Sequence, residues 1–143
     1  MIVSEWKMPG YFKANPQLVA EEIRQIGDEV TPKQVLEAGR NPDSELHKCF
    51  EWDDTKAAEK WRLEQAGQVL RFLVIREVEE KPDNVPVRTF YKNDNGGYKP
   101  SEIIFAKPDE YQKLLQTAWA ELRAFKAKYA RLQELSEILA LID

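Results

Sequence analysis

His47 and Cys49 are the chain's single histidine and single cysteine, the side chains most used as base and nucleophile near neutral pH. They fall within Ser44–Phe50, a stretch patterned as a short helix. Two positions apart on a helix, they face different sides and do not pair. Cys49 therefore reads as a small buried hydrophobe, and His47 as a helix-surface or interface residue. Glu45, Glu51, Asp53 and Asp54 form an acidic cluster of the kind that holds Mg²⁺ with a few carboxylates. Asp53 or Asp54, however, stands where the next helix needs an N-cap, and the other two lie on different faces, so no metal is expected. Paired zinc-binding histidines and CxxC pairs are absent. Gly96-Gly97 neither opens a helix nor precedes a lysine-serine pair, so it is no phosphate loop. GxSxG and kinase signatures are missing as well. The expectation is a non-enzyme with no cofactor.

The cations suggest binding instead. Lys33, Arg40, His47 and Lys48 are the candidate DNA-contacting residues, with Lys48 and His47 toward a groove and Lys33 and Arg40 near phosphates. Arg123, Lys126, Lys128 and Arg131 concentrate positive charge within about two helical turns, as a solvated face or a phosphate-contacting stripe. The formal net charge is −4 over 143 residues. Residues 1–66 hold nine Lys/Arg against thirteen Asp/Glu, residues 67–107 seven against six, and residues 108–143 five against six. No segment is strongly basic, which counts against a general nucleic-acid binder but leaves room for a small local patch.

These residues need positioning elements, and the local signals are clear. Asn15-Pro16 and Thr31-Pro32 are caps followed by proline at the first helical position. Gly27 and Gly39 close the two helices they open. Asn41-Pro42-Asp43 is turn chemistry, and Ser44 caps the short helix carrying Leu46, Cys49 and Phe50. A longer helix then runs from Asp53 or Asp54 to about Val69 or beyond, with Phe50 and Trp61 buried where it meets the short one. Residues 1–14 read as an irregular aromatic arm. The period then changes to that of strands: 72–78, 85–91, and a third ending at Ile103-Ile104-Phe105. Asn93-Asp94-Asn95-Gly96-Gly97 makes a hairpin turn, and Pro86 and Pro100 mark exposed edges. From Pro108 onward, Tyr111, Leu115, Ala118, Leu122, Phe125, Tyr129, Leu132, Ser136 and Leu139 alternate at spacings of four and three, a heptad seam. One reading lays this helix across its own sheet, with the Phe125–Tyr129 region on the meander. The other lets its end project and meet a second chain.

Two resemblances add to this. Val35, Ala38, Leu46 and Phe50 match the packing positions of the helix-turn-helix of tetracycline-repressor-type regulators over about sixteen residues. Within that match His47 stands where the family has an aromatic, Gly39 sits one place early, and Asp43 and Glu45 put acid where phosphate contacts belong. Over more of the chain, Ser44-Glu45-Leu46-His47, Phe50-Glu51-Trp52-Asp53-Asp54, Ala57-Ala58, Arg62 and Gln65-Ala66, with AELRAFKAKYARLQEL near the end, resemble small phage- and prophage-encoded proteins. That resemblance implies a mobile-element origin rather than a mechanism.

The sequence thus predicts an α+β fold in a single domain, 1–143. It comprises an N-terminal helical, helix-turn-helix-like subdomain (15–70), a three-stranded antiparallel β-meander (71–107) and a long C-terminal helix (108–143). No apolar run approaches the roughly 20 residues of a membrane span, no signal peptide is read, and a lone cysteine fits a reducing cytoplasm. The expected role is a non-enzymatic accessory protein of a phage or mobile element, DNA-associated through Thr31–Arg62. The runner-up is a protein-interaction module that binds a host or phage protein. Leu135, Ile138, Leu139 and Ile142 are the candidate partner interface, for a homodimer through the C-terminal helix or for another chain.

Overall fold

A computed structural model describes residues 2–56, 58–77 and 85–143, without the side chain of Glu77. The chain forms two compact units, residues 1–103 and 104–143. The fold is mixed helix and sheet, with a three-stranded antiparallel sheet and a long helix near the C-terminus.

In the first unit β1 (Ile2–Trp6) is followed by α1 (Pro16–Ile26) and α2 (Pro32–Gly39). Both helices start as the cap-plus-proline signals require. The Asn15 side chain accepts from the backbone N–H groups of Gln17 and Leu18. Thr31 and Gln34 form a reciprocal capping box. Leu46–Cys49 is a 3-10 turn rather than an α-helix, with Ser44 Oγ accepting from His47 N. α3 (Glu59–Phe72) begins later than the aspartates suggest. Asp53 folds onto Thr55 instead, accepting from its backbone N–H and its hydroxyl. Asp54 pairs with Arg62, and Ala58 is the N-cap without a side-chain bond. The carboxylates that seemed reserved for a helix end are used to shape the approach to it.

α3 runs directly into β2 (Leu73–Glu77), the central strand of the order β1-β2-β3, where β3 is Val87–Arg88. Ile2 lies opposite Glu77, Glu5 opposite Val74 and Trp6 opposite Leu73; Val74 in turn faces Arg88. Three expectations are corrected here. The N-terminal arm is not wholly irregular, because residues 2–6 pair with a strand about seventy positions away. Residues 103–105 are not a strand either: Ser101–Phe105 is a short helix, α4, which follows Pro100. The segment expected as one strand at 85–91 is divided. Val87–Arg88 joins the sheet, and Phe90–Lys92 (β4) pairs with Tyr98–Pro100 (β5) in a separate hairpin. Its turn is the expected one: Gly96 takes φ 82°, and Asn93 N–H donates to Gly97 O at 2.8 Å.

The core of this unit gathers Val19, Ile23, Val35, Leu36, Leu46, Leu70, Leu73 and Phe90, all essentially fully buried, with Phe50 among its partners. Gly39 allows the close approach: a Cβ there would stand 2.7 Å from Phe50 Cε2. Phe50 is buried as expected, but Trp61 is 43% exposed. Trp52 takes the place assigned to it, with its ring centroid 5.4 Å from that of Phe50.

In the second unit α5 (Pro108–Tyr129) is the long helix. It does not continue to residue 143. The chain breaks after Tyr129, makes a 3-10 turn at Gln133–Leu135 and a last turn of helix, α6 (Ser136–Leu139). Lys126 Nζ donates to Ile142 O at 2.5 Å, which draws the tail back to the end of α5. No helix is long and apolar enough to cross a membrane among the described residues.

Candidate functional site

The helix-turn-helix-like region is held together by its own charges. Glu22 accepts from the backbone N–H groups of Glu45 and Leu46 at 2.7 and 2.9 Å, capping the 3-10 turn from the side. Glu45 accepts from Asn15 N at 2.6 Å and from Lys48 Nζ at 3.0 Å. The Asn15 backbone bond, then Lys48, hold its carboxyl below the usual range. Arg40, at the end of α2, donates to both oxygens of Glu59 at 2.6 and 2.8 Å and to Glu37 at 3.2 Å. The Glu59 bonds, then those to Glu37, raise its pKa further.

The four candidate DNA-contacting residues are thus placed as follows. Lys33 is exposed at the start of α2. Arg40 and Lys48 carry carboxylate partners. His47 is fixed: its Nδ1 lies 2.8 Å from Gly39 O, so Nδ1 bears the proton, and its ring stacks on Trp52 at 4.8 Å and 8°. Trp52 Nε1 donates to His47 O, and the guanidinium carbons of Arg62 and Arg40 stand 5.3 and 5.9 Å from the Trp52 ring. Arg62 is buried; it donates to Glu51 O at 3.0 Å and pairs with Asp54. Sequence reading left out Trp52 and Arg62, although both belong to the phage-protein pattern. An aromatic among prospective cations was the available signal.

Cys49 and the acidic cluster are engaged within the fold. Burial, then the charges of Glu45 and Glu22, push the Cys49 thiol up to about 12. Glu51 accepts from Asp53 N at 3.1 Å, so each member of the acidic cluster already has an internal role. The described residues contain no group of three or more His, Cys, Asp or Glu placed to hold a metal ion.

The second unit offers a different surface. None of the 22 residues of α5 is buried. Tyr111, Leu115, Trp119, Leu122 and Phe125 are each between 39% and 46% exposed. Of the tail residues expected at an interface, Leu139 and Ile142 are instead buried within the chain, Leu135 is half-buried and Ile138 is exposed. The apolar seam is therefore open along α5, ahead of the region where it was sought. In the positive stripe, Lys126 is occupied by Ile142 O and Lys128 Nζ stands 5.2 Å from the Tyr129 ring centroid.

No protein-family model, curated protein or solved structure matches this chain.

Proposed function

We propose that this chain is a non-enzymatic interaction module that pairs with a second copy of itself through α5, and that it serves as an accessory protein of a phage or mobile element. The observation that carries the reading is a 22-residue helix with a heptad seam and no buried residue. At 1.5 Å per residue such a helix is about 33 Å long. Its five large apolar side chains present roughly 400 Å² per copy, the scale at which an exposed patch marks an interaction site. With the stems of the flanking Gln, Lys and Arg side chains, two copies approach the lower range of a specific interface, about 1,200 Å² in total.

Charge selects the partner and its direction. Asp109 and Glu110 lie in the first turn of α5, and Lys126 and Lys128 in the last. This order favours each helix end internally. It also makes the helix self-complementary when two copies run antiparallel, acid against base, whereas parallel copies would bring like charges together. The mobile-element origin rests on the sequence pattern around Ser44–Ala66.

A DNA-associated role stands second. It is favoured by the close packing of α2 on the 3-10 turn across Gly39 and Phe50. It is disfavoured because Arg40 and Lys48 must leave Glu59, Glu37 and Glu45 to reach phosphate.

Sedimentation equilibrium of the full chain and of the double variant Leu115→Glu, Leu122→Glu tests the proposal. The wild type should sediment as a dimer at tens of micromolar, and the variant as a folded monomer with an unchanged helical spectrum. A wild-type monomer at that concentration overturns it.

A further inference from the structure

The sheet face that carries Glu5, Val74 and Arg88 bears a cleft of about 520 Å³, wholly within the first unit. Residues opposite one another in an antiparallel register share a face, which places these three in one row across β1, β2 and β3. Lys7 adjoins that row: its N–H donates at 2.8 Å to the O of Phe72, the last residue of α3 and the neighbour of Arg71. Lys7, Arg71 and Arg88 all line the cleft.

The charge there is one-sided. Among the described residues Glu5 is the only carboxylate in the lining, and Arg76 engages it at 2.5 Å. The hydrogen bonds from Arg76 hold Glu5 ionised and compensated. No carboxylate of the described residues lies within ion-pair distance of Lys7, Arg71 or Arg88. This contrasts with Arg24, Arg40, Lys48 and Arg62, each of which has one. In a chain of net charge −4, three cations around one cleft, without a carboxylate partner among the described residues, gather positive charge locally. Arg71 also has space kept for it. A Cβ on Gly67, one turn earlier in α3, would stand 2.9 Å from Arg71 Nη1.

We propose that this cleft binds a small phosphorylated ligand of nucleoside-diphosphate size. Two guanidiniums and an ammonium match two or three negative charges, and the planar forks of the arginines suit phosphate oxygens. Val74, Pro9 and Pro86 supply an apolar wall for a ring. The volume lies in the range of small-molecule sites, about 300–1,000 Å³. A long nucleic-acid strand is less well matched, since only three cations line the cleft and phosphate neutralisation must extend along such a strand.

Calorimetric titration with inorganic pyrophosphate, ADP and a twelve-nucleotide single strand tests this, at two salt concentrations. ADP and pyrophosphate should bind, with ADP tighter. Arg71→Gln and Arg88→Gln should each weaken ADP about tenfold, whereas Lys113→Gln in the second unit should change nothing. Gly67→Ala should weaken ADP several-fold without loss of thermal stability, because the methyl displaces only the guanidinium and alanine favours the helix. Failure of both small ligands to bind at millimolar concentration overturns the proposal, as does undiminished affinity in the Arg71→Gln, Arg88→Gln double variant. Tighter binding of the oligonucleotide than of ADP, with a steep salt dependence, overturns it in favour of a strand-binding groove.

Discussion

Phe50 shows how much can hang on one side chain. It fills the space left by Gly39 and touches Trp52, joining the 3-10 turn to the rest of the first unit. Phe50→Ala should cost about 3–5 kcal/mol, read from the urea midpoint, and a change under about 1 kcal/mol would show the joint to be slack. The pair should also be non-additive. Gly39→Ala alone drives a methyl into the ring, but in the Phe50→Ala background the clash is gone, so the second substitution should be nearly free. Cys49 gives a pH prediction. Its thiol is raised to about 12 in the fold, against about 8.5 in an unfolded chain. Between those values the unfolded state has released the proton and the folded state has kept it. Stability should therefore fall with rising pH across that window, by up to about 1.4 kcal/mol per pH unit, and should not respond to this group below it. Cys49→Ala should flatten the wild-type slope by that amount. Parallel slopes in the two proteins would place the thiol in contact with solvent.

At the scale of elements, the capping signals were the most legible part of the sequence. Thr31→Ala should destabilise the first unit by about 1 kcal/mol, seen as a lowered Tm, because it removes one half of the reciprocal box at the start of α2. An unaltered Tm would mean that water replaces the cap without loss. The Asn93–Gly97 turn was equally legible, since few residues accept positive φ. What sequence hid was non-local or mimetic. β1 exists because β2 is available to pair with it, and nothing within Ile2–Trp6 announces a partner seventy residues away. Ile103-Ile104-Phe105 has strand composition, but a short apolar run does not distinguish strand from buried helix. The break after Tyr129 has neither glycine nor proline to mark it, and Leu132, Ser136 and Leu139 continue the heptad rhythm across it. In the candidate DNA surface, residue types were legible and their partners were not: Arg40 meets Glu59 across nineteen positions. The cationic cleft combines residues from β1, α3 and β3, which no linear pattern connects.

At the scale of the whole molecule, two places compete for the contact with a second copy. One is the α5 seam. The other is the tail, where Ile138 and Leu141 are 63% and 81% exposed. The tail is the weaker candidate because its other apolar groups, Leu139 and Ile142, are already buried, leaving a small exposed pair, whereas the seam from Tyr111 to Phe125 runs along about four turns of helix. Association makes thermal stability depend on concentration, since a dimer gains stability by mass action and a monomer does not. Hundredfold dilution of the wild type should lower its Tm by several degrees. In Leu115→Glu, Leu122→Glu the Tm should be low at every concentration and indifferent to dilution. In Ile138→Glu, Leu141→Glu it should follow the wild type. The reverse pattern would move the interface to the tail and leave α5 to another partner. A wild-type Tm that ignores dilution, together with a monomer mass, would remove self-association altogether.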